Sequence, residues 1–501
     1  MRVAARPGSL WWRPGEKRAM GWAATLARAT SGRWWWSVAA AVLVLGGAVA
    51  GLHLPASGAV FLQIANGKLV QSQGLGGHSS FMAAPATALD LRSWLLDFVL
   101  AQLYRWGGVA ALELTGAILG AAVGGVLYIA IRRSPLKHPA IAMLAGGLAL
   151  AALDPVMNSP SAELLALLSG LLLLCLLELR RGEAWAPWAL LALLAAWANL
   201  QSAAVVVAPL VVVVLLVARQ QRRGGEAMAP GWLLGAVLLS VCLNPRGPLL
   251  YQGLPLALGM AGEHPFLPLW SSPDFHPWGT RLAELAGLLL LLGYLVAGPR
   301  LRRADSALGL AAAVMSLLWT VYLPLFLMIA AVQGADYLAG WVATLPPPPE
   351  GRPGRWAAVA ALLPLLLVVA LLARAGGHAE RQGGPAQQLA SGVPVGAMTW
   401  LSAHPEAGNW YTTAAYGDYL AAAFPGGHHL VCTSDPIATG SGRLAQCQLL
   451  AVLNQGALGV LSQLETRLAV LPPAAPEVAF LEAEGWRVRY RDQGALVLSS
   501  R

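Results

Sequence analysis

The stretch Gly107–Arg133, GGVAALELTGAILGAAVGGVLYIAIRR, decides the class of fold. From Gly107 to Ile131 its one charge is Glu113, and the run is about as long as the roughly 20 apolar residues that a single helix needs to span a bilayer. It ends on Arg132 and Arg133, and basic residues collect at the cytoplasmic ends of spans. Working outward, comparable apolar runs place spans near 34–53, 107–131, 139–153, 161–179, 184–200, 202–218, 230–244, 281–298, 305–319, 321–342 and 356–375, about eleven in all. Every second connection is basic: Arg132/Arg133/Lys137, Arg180/Arg181, Arg219/Arg222/Arg223, Arg300/Arg302/Arg303 and Arg352/Arg355, with seven more Arg and Lys before the first span. An odd number of spans puts the N-terminus in the cytoplasm and the C-terminal region outside. The expected location is a cytoplasmic (inner) membrane.

Composition agrees with this reading. Of 501 residues, 57% are hydrophobic and 11% charged, and the mean hydropathy is +0.60, which excludes a soluble enzyme. The formal net charge of +9 is carried by short arginine clusters between apolar runs. They act as topology signals, so nucleic acid is not an expected partner. Ala48-Val49-Ala50 has the look of a signal-peptidase site, but the long basic segment 1–33 before it favours an uncleaved anchor.

The expected organisation is a cytoplasmic segment 1–33, a membrane domain 34–375 with outer loops 54–106 and 245–280, a Gly/Pro/Gln linker 376–395, and a small extracytoplasmic α/β domain 396–501. In that last domain Leu430–Thr433 and Leu458–Leu461 read as strands. Arg443–Leu453 and Pro476–Glu484 read as helices, and Trp486–Tyr490 with Ala495–Ser499 as a hairpin across Asp492-Gln493-Gly494. Cys432 and Cys447 both lie there, where an oxidising compartment permits a disulfide; Cys175 and Cys242 fall in spans.

Chemistry would have to sit in the outer loops. After Asp90, the spacing of Leu91, Trp94, Leu95, Phe98 and Val99 predicts an amphipathic interfacial helix. Asp90 is placed either to cap that helix or to act as a general base, and Asp97 falls on its solvated side. Loop 245–280 carries Arg246, Glu263-His264, and Asp274-Phe275-His276. Two His and two acids can bind a divalent cation or steer a phosphate, although the spacings match no metal-site template. Asp154 and Glu163, at span ends, are expected to reach water, while Glu113 and Asp336 are acids inside spans. No Walker motif, GxSxG or HExxH is present.

The order of these parts resembles a bacterial family of GT-C-type membrane glycosyltransferase-like proteins, over nearly the whole chain. The carriers are Asn66-Gly67, Tyr104-Arg105-Trp106-Gly107-Gly108, Trp197-Ala198-Asn199-Leu200, Asn244-Pro245-Arg246-Gly247, Ser272-Pro273-Asp274-Phe275-His276, Pro324-Leu325-Phe326 and Tyr416-Gly417-Asp418-Tyr419-Leu420. The resemblance implies transfer of a sugar from a polyprenyl-phosphate carrier to an acceptor outside the membrane. Asp90 would serve as base, Arg92, Arg246, His264 or His276 would lie near the phosphate, and Asp274 would be structural or metal-binding. The chain also departs from the family at positions that tend to be polar: Ala59 and Gln63 stand for an Asp and a His, Arg92-Ser93 for His-Glu, Gln201 for a His, and Val321–Tyr322 for an Arg. Two readings therefore stay open: a divergent glycosyltransferase, and a non-catalytic relative that binds lipid beside a partner membrane protein.

Overall fold

A computed structural model describes residues 33–52, 58–79, 87–88, 91–133, 139–154, 159–220, 230–252, 272–276, 278–297, 303–344, 393–405, 408–424, 429–434, 441–453 and 456–500. The membrane part begins with α1 (Arg33–Ala50), α2 (Gly58–Gln73), a two-stranded ribbon of β1 (His78–Ser79) and β2 (Thr87–Ala88), and α3 (Trp94–Arg133). It continues through α4 (Pro139–Leu153), α5 (Pro160–Arg181), α6 (Ala186–Leu200), α7 (Ala204–Gln220), α8 (Trp232–Val241), α9 (Trp278–Ala297), α10 (Arg303–Leu318) and α11 (Leu323–Thr344). This is a polytopic helical membrane fold. Among the described residues three stretches are long and apolar enough to cross a bilayer by themselves: Trp94–Arg133, Pro160–Arg181 and Thr320–Leu338. The shorter apolar helices, together with Trp278–Ala297, stand at the remaining expected spans, except 356–375, which lies outside the described residues.

Glycine sets the tightest packing. A Cβ on Gly47 would stand 2.1 Å from the carbonyl oxygen of Gly120, one on Gly120 2.2 Å from that of Gly47, and one on Gly124 2.0 Å from that of Leu43. With no side chains in the seam, the backbones of α1 and α3 touch, the route by which small residues at four-residue spacing hold membrane helices together. At the opposite edge of α3 the buried Glu178 carboxylate of α5 takes Arg133 at 2.8 Å and Arg181 at 3.3 Å. That arginine end of the bundle is closed by Gly182, whose left-handed backbone (φ 80°) lets its N–H cap the carbonyls of Glu178 and Leu179.

The expected interfacial helix and the second span are one 40-residue helix, broken at Gly108 (φ 59°, ψ −142°). Only glycine adopts that backbone readily, so Gly108 turns the piece before it against the piece after it. The helix starts at Trp94 with Ser93 before it, and Asp90 lies outside the described residues. Helix α2 was not legible in the sequence. It packs on α3 so closely that a Cβ on Gly67 would meet the Asp97 carbonyl oxygen at 2.0 Å.

The tail is an α/β unit: α12 (Val395–Ala403), β3 (Asn409–Thr412), α13 (Ala414–Ala423), β4 (His429–Leu430), α14 (Ser441–Ala451), α15 (Ala457–Gln463), β5 (Thr466–Leu471), α16 (Pro476–Ala483), β6 (Arg487–Arg491) and β7 (Leu496–Ser499). Its sheet runs β4-β3-β5-β7-β6, with β4, β3 and β5 parallel, and β7 antiparallel to both β5 and β6. The expected strand at Leu458–Leu461 is instead helix α15; a four-residue apolar run has no period that separates the two. Cys432 and Cys447 are joined in a disulfide, with Cα atoms 6.0 Å apart.

The tail does not stand away from the bundle. Helix α13 lies on α2, where Tyr419 meets Phe61 edge to face at 4.9 Å and the Lys68 ammonium donates to the Ala422 carbonyl at 2.9 Å. A single buried apolar cluster contains Phe61 and Ile64 of α2, Leu100 of α3, and Trp410, Leu420 and Val497 of the tail.

Candidate functional site

At the tail end of the bundle, three helices are tied together by two asparagines. Asn199, in the last turn of α6, accepts from the Trp94 indole N–H at 2.7 Å and donates to the Leu243 carbonyl at 3.0 Å. Asn244 donates to the carbonyls of Leu91 at 3.1 Å and Ala198 at 2.9 Å, and its oxygen accepts from the Arg246 backbone N–H at 2.9 Å. Its burial, at 5% exposure, makes these bonds obligatory. The local cause is the Asn-Pro-Arg-Gly sequence. Pro245 cannot continue α8, and Gly247 (φ 54°) turns the chain into a 3-10 turn at Gly247–Gln252, which leaves the Asn244 side chain facing its neighbours. The turn is held by the Tyr251 hydroxyl, which donates to the Leu238 carbonyl at 2.9 Å; burial pushes that hydroxyl up to about 12.

The clamp holds the backbone beside two of the arginines singled out in the sequence. Arg92 follows the Leu91 carbonyl that Asn244 binds, and Arg246 follows Asn244 by two residues. Both are cations on short loops anchored to the same carboxamide. Of the other candidates, Asp90 and His264 lie outside the described residues. Asp274 and His276 are exposed and bonded to each other: the Asp274 carboxylate accepts from the His276 backbone N–H at 2.9 Å and stands 2.5 Å from its Nδ1. These bonds, the backbone one foremost, hold the Asp274 carboxyl below the usual carboxylate range. Thr280 on α9 donates to the Asp274 carbonyl at 2.5 Å, and Ser272 donates to the Leu317 carbonyl of α10 at 2.9 Å. This loop is therefore fastened to α9 and α10, whereas the asparagine clamp fastens α3, α6 and α8.

Two glutamines at positions where the resembled family tends to carry histidine meet across one residue. Ser161, in the first turn of α5, donates through its hydroxyl to Gln63 of α2 at 2.5 Å, and its carbonyl accepts from Gln201 at the end of α6. Nothing in the sequence spacing links residues 63, 161 and 201; the packing of α2 over the ends of α5 and α6 makes the site. Nearby in sequence, Glu163 is a correction to the expectation that it reaches water. It is 1% exposed, with both carboxylate oxygens 2.9 Å from where a Cβ on Gly116 would stand. Asp97 is a second correction. It is also 1% exposed, because α2 covers the first turn of α3, and its carboxylate accepts from the Ser93 hydroxyl at 3.1 and 3.2 Å.

Among the described residues, no three or more His, Cys, Asp and Glu side chains converge as a metal-ligand set.

Similarity to known proteins lies in the backbone. No protein-family model matches the chain, and no curated protein matches its sequence. Solved structures do. ArnT from Cupriavidus metallidurans, bound to undecaprenyl phosphate, superposes with a TM-score of 0.51 at 16% identity, over 93% of this chain and 97% of that one. The archaeal oligosaccharyltransferase AglB from Archaeoglobus fulgidus, in complex with an inhibitory peptide and a dolichol-phosphate, superposes with a TM-score of 0.54 at 12% identity, over 94% of this chain and 74% of that one. Both are glycosyltransferases of the GT-C type. This chain has the GT-C fold. At these identities the likeness is one of fold, and it spans the membrane bundle and the tail together.

Proposed function

We propose that this GT-C-fold protein binds a polyprenyl-phosphate-linked sugar at the outer face of a bacterial cytoplasmic membrane and transfers the sugar to an acceptor of the cell envelope. The observation that carries the reading is the asparagine clamp, which sets Arg92 and Arg246 on adjoining loops at one end of the bundle. Guanidinium groups suit a phosphate that gains charge as it leaves. The fold adds support, since the ArnT and AglB structures hold undecaprenyl phosphate and dolichol-phosphate. The alternating arginines, Arg132, Arg133, Arg180, Arg181 and Arg219 at one end of their helices, support a cytoplasmic position for that end and an outer one for the tail.

In this reading the acceptor hydroxyl oxygen attacks the anomeric carbon of the donor sugar. The bond from that carbon to the phosphate oxygen breaks, and polyprenyl phosphate leaves with the electron pair. Asp90 takes the hydroxyl proton. Arg92 and Arg246 hold the phosphate, and His264 and His276 are assigned to the same anion. Asp274 positions His276 through the bonds described above.

One observation favours a second reading, in which the protein binds the carrier without turning it over and serves a partner membrane protein. The groups at positions 63 and 201 are amides tied to Ser161, and Asp97 is turned into the protein interior. The test is turnover of an undecaprenyl-phosphate-linked sugar by purified protein. Transfer in the parent, slowed about 10²- to 10⁴-fold in Asp90→Asn, supports the enzyme. Retained lipid with no transfer in the parent supports the accessory role.

A further inference from the structure

The arginine end of the bundle presents a cation beside two tilted indoles on an exposed, largely apolar surface. Arg219 stands in the last turn of α7, with its two terminal guanidinium nitrogens 3.4 and 3.7 Å from where a Cβ on Gly231 would be. Gly231 directly precedes Trp232, the first residue of α8, and the Trp232 ring lies 5.3 Å from that of Trp188 in the first turn of α6. Trp188 is 65% and Trp232 49% exposed, so the row of guanidinium and indoles is open. Among the described residues Arg219 makes no hydrogen bond or ion pair. Below it on the same side of α7, Leu216 and Val213 are exposed at three-residue intervals.

From this pattern we infer that α6, α7 and α8 form a seat for an anionic phospholipid of the leaflet at the arginine end. Its phosphate lies on Arg219, its glycerol region against Trp188 and Trp232, and one acyl chain along Leu216 and Val213. Indoles favour headgroup depth, where one edge is wet and the ring apolar. A half-buried guanidinium without a protein acceptor at that depth takes a phosphate from the lipid, and a leaflet with anionic headgroups supplies it. The apolar track below the cation commits the seat to a lipid, because a free phosphate ester would leave Leu216 and Val213 uncovered.

The test uses the full-length protein in nanodiscs of phosphatidylcholine containing a minor fraction of brominated lipid, with tryptophan fluorescence as the readout. Brominated phosphatidylglycerol is expected to quench more than brominated phosphatidylcholine at the same fraction. Arg219→Gln should abolish that excess, Arg219→Lys should keep part of it, and Trp188→Phe with Trp232→Phe should remove the emission that carries it. Thermal unfolding of each variant, unchanged from the parent, separates loss of the seat from loss of the fold. Equal quenching by the two lipids, an excess that survives Arg219→Gln, or displacement of the excess by soluble glycerol phosphate would overturn the inference.

Discussion

The carboxamide of Asn244 reaches three backbone groups on three segments, through bonds to Leu91, Ala198 and Arg246. Asn244→Ala would leave two carbonyls without their donor and would free the Arg92 and Arg246 loops from each other. The expected cost is about 1–3 kcal/mol, read as a lower thermal midpoint, with a parallel loss of carrier affinity. Asp274 gives a pH-dependent counterpart. Its folded pKa is depressed by the His276 N–H, so the order it lends the loop is present above the ordinary carboxylate pKa of about 3.9 and is lost as pH falls through the lower folded value. The Asp274 carboxyl carbon resonance, followed by carbon-13 NMR, should therefore titrate below the ordinary carboxylate value of about 3.9. At this scale the sequence was partly legible. Asn199, Asn244 and Arg246 stood in readable motifs, because a helix end before Pro has a local signature. Gln63, Ser161 and Gln201 could not be paired, nor Asp97 placed, without the packing of α2, and Glu163 was misplaced because its contact with Gly116 of α3 leaves no mark along the chain.

Helices α1 and α3 are joined by backbone contact, and that makes their glycines intolerant of any side chain. Gly120→Val should part the helices and prevent assembly of the bundle in the membrane, checked by the yield of monodisperse protein; Gly125→Val, one residue beyond the seam glycine Gly124 and clear of close contacts, should be tolerated. Gly108→Ala tests a different cause. No atom crowds a Cβ there, yet the backbone at φ 59° and ψ −142° is open to glycine, so the change should cost about 1–3 kcal/mol through strain alone. Long apolar runs made the spanning helices readable. Helix α2 was hidden because it is covered by α3 on one side and α13 on another. Its apolar residues therefore follow no single stripe, and the period that marks a half-buried helix is absent.

At the scale of the whole molecule, tail and bundle share one apolar cluster, fastened by Lys68 on Ala422. The tail is further stapled by Cys432–Cys447, which closes a loop of 15 residues and stabilises it by about 3 kcal/mol through the unfolded chain. Reduction should lower the unfolding midpoint of the tail while leaving the helical signal of the bundle in place, and Lys68→Met should increase proteolysis at the α2–α13 contact. The α/β tail and its hairpin were legible because charge, glycine and proline mark them along the chain. The docking of tail on bundle was not, since it rests on contacts between Phe61 and Tyr419, hundreds of residues apart.

Binding of a polyprenyl phosphate by the Arg92–Asn244–Arg246 clamp is tested most directly by native mass spectrometry of the protein with added undecaprenyl phosphate. One retained lipid is expected in the parent, its loss in Arg92→Gln/Arg246→Gln, and retention in Asp274→Asn. Equal retention by the parent and the double arginine variant would contradict it.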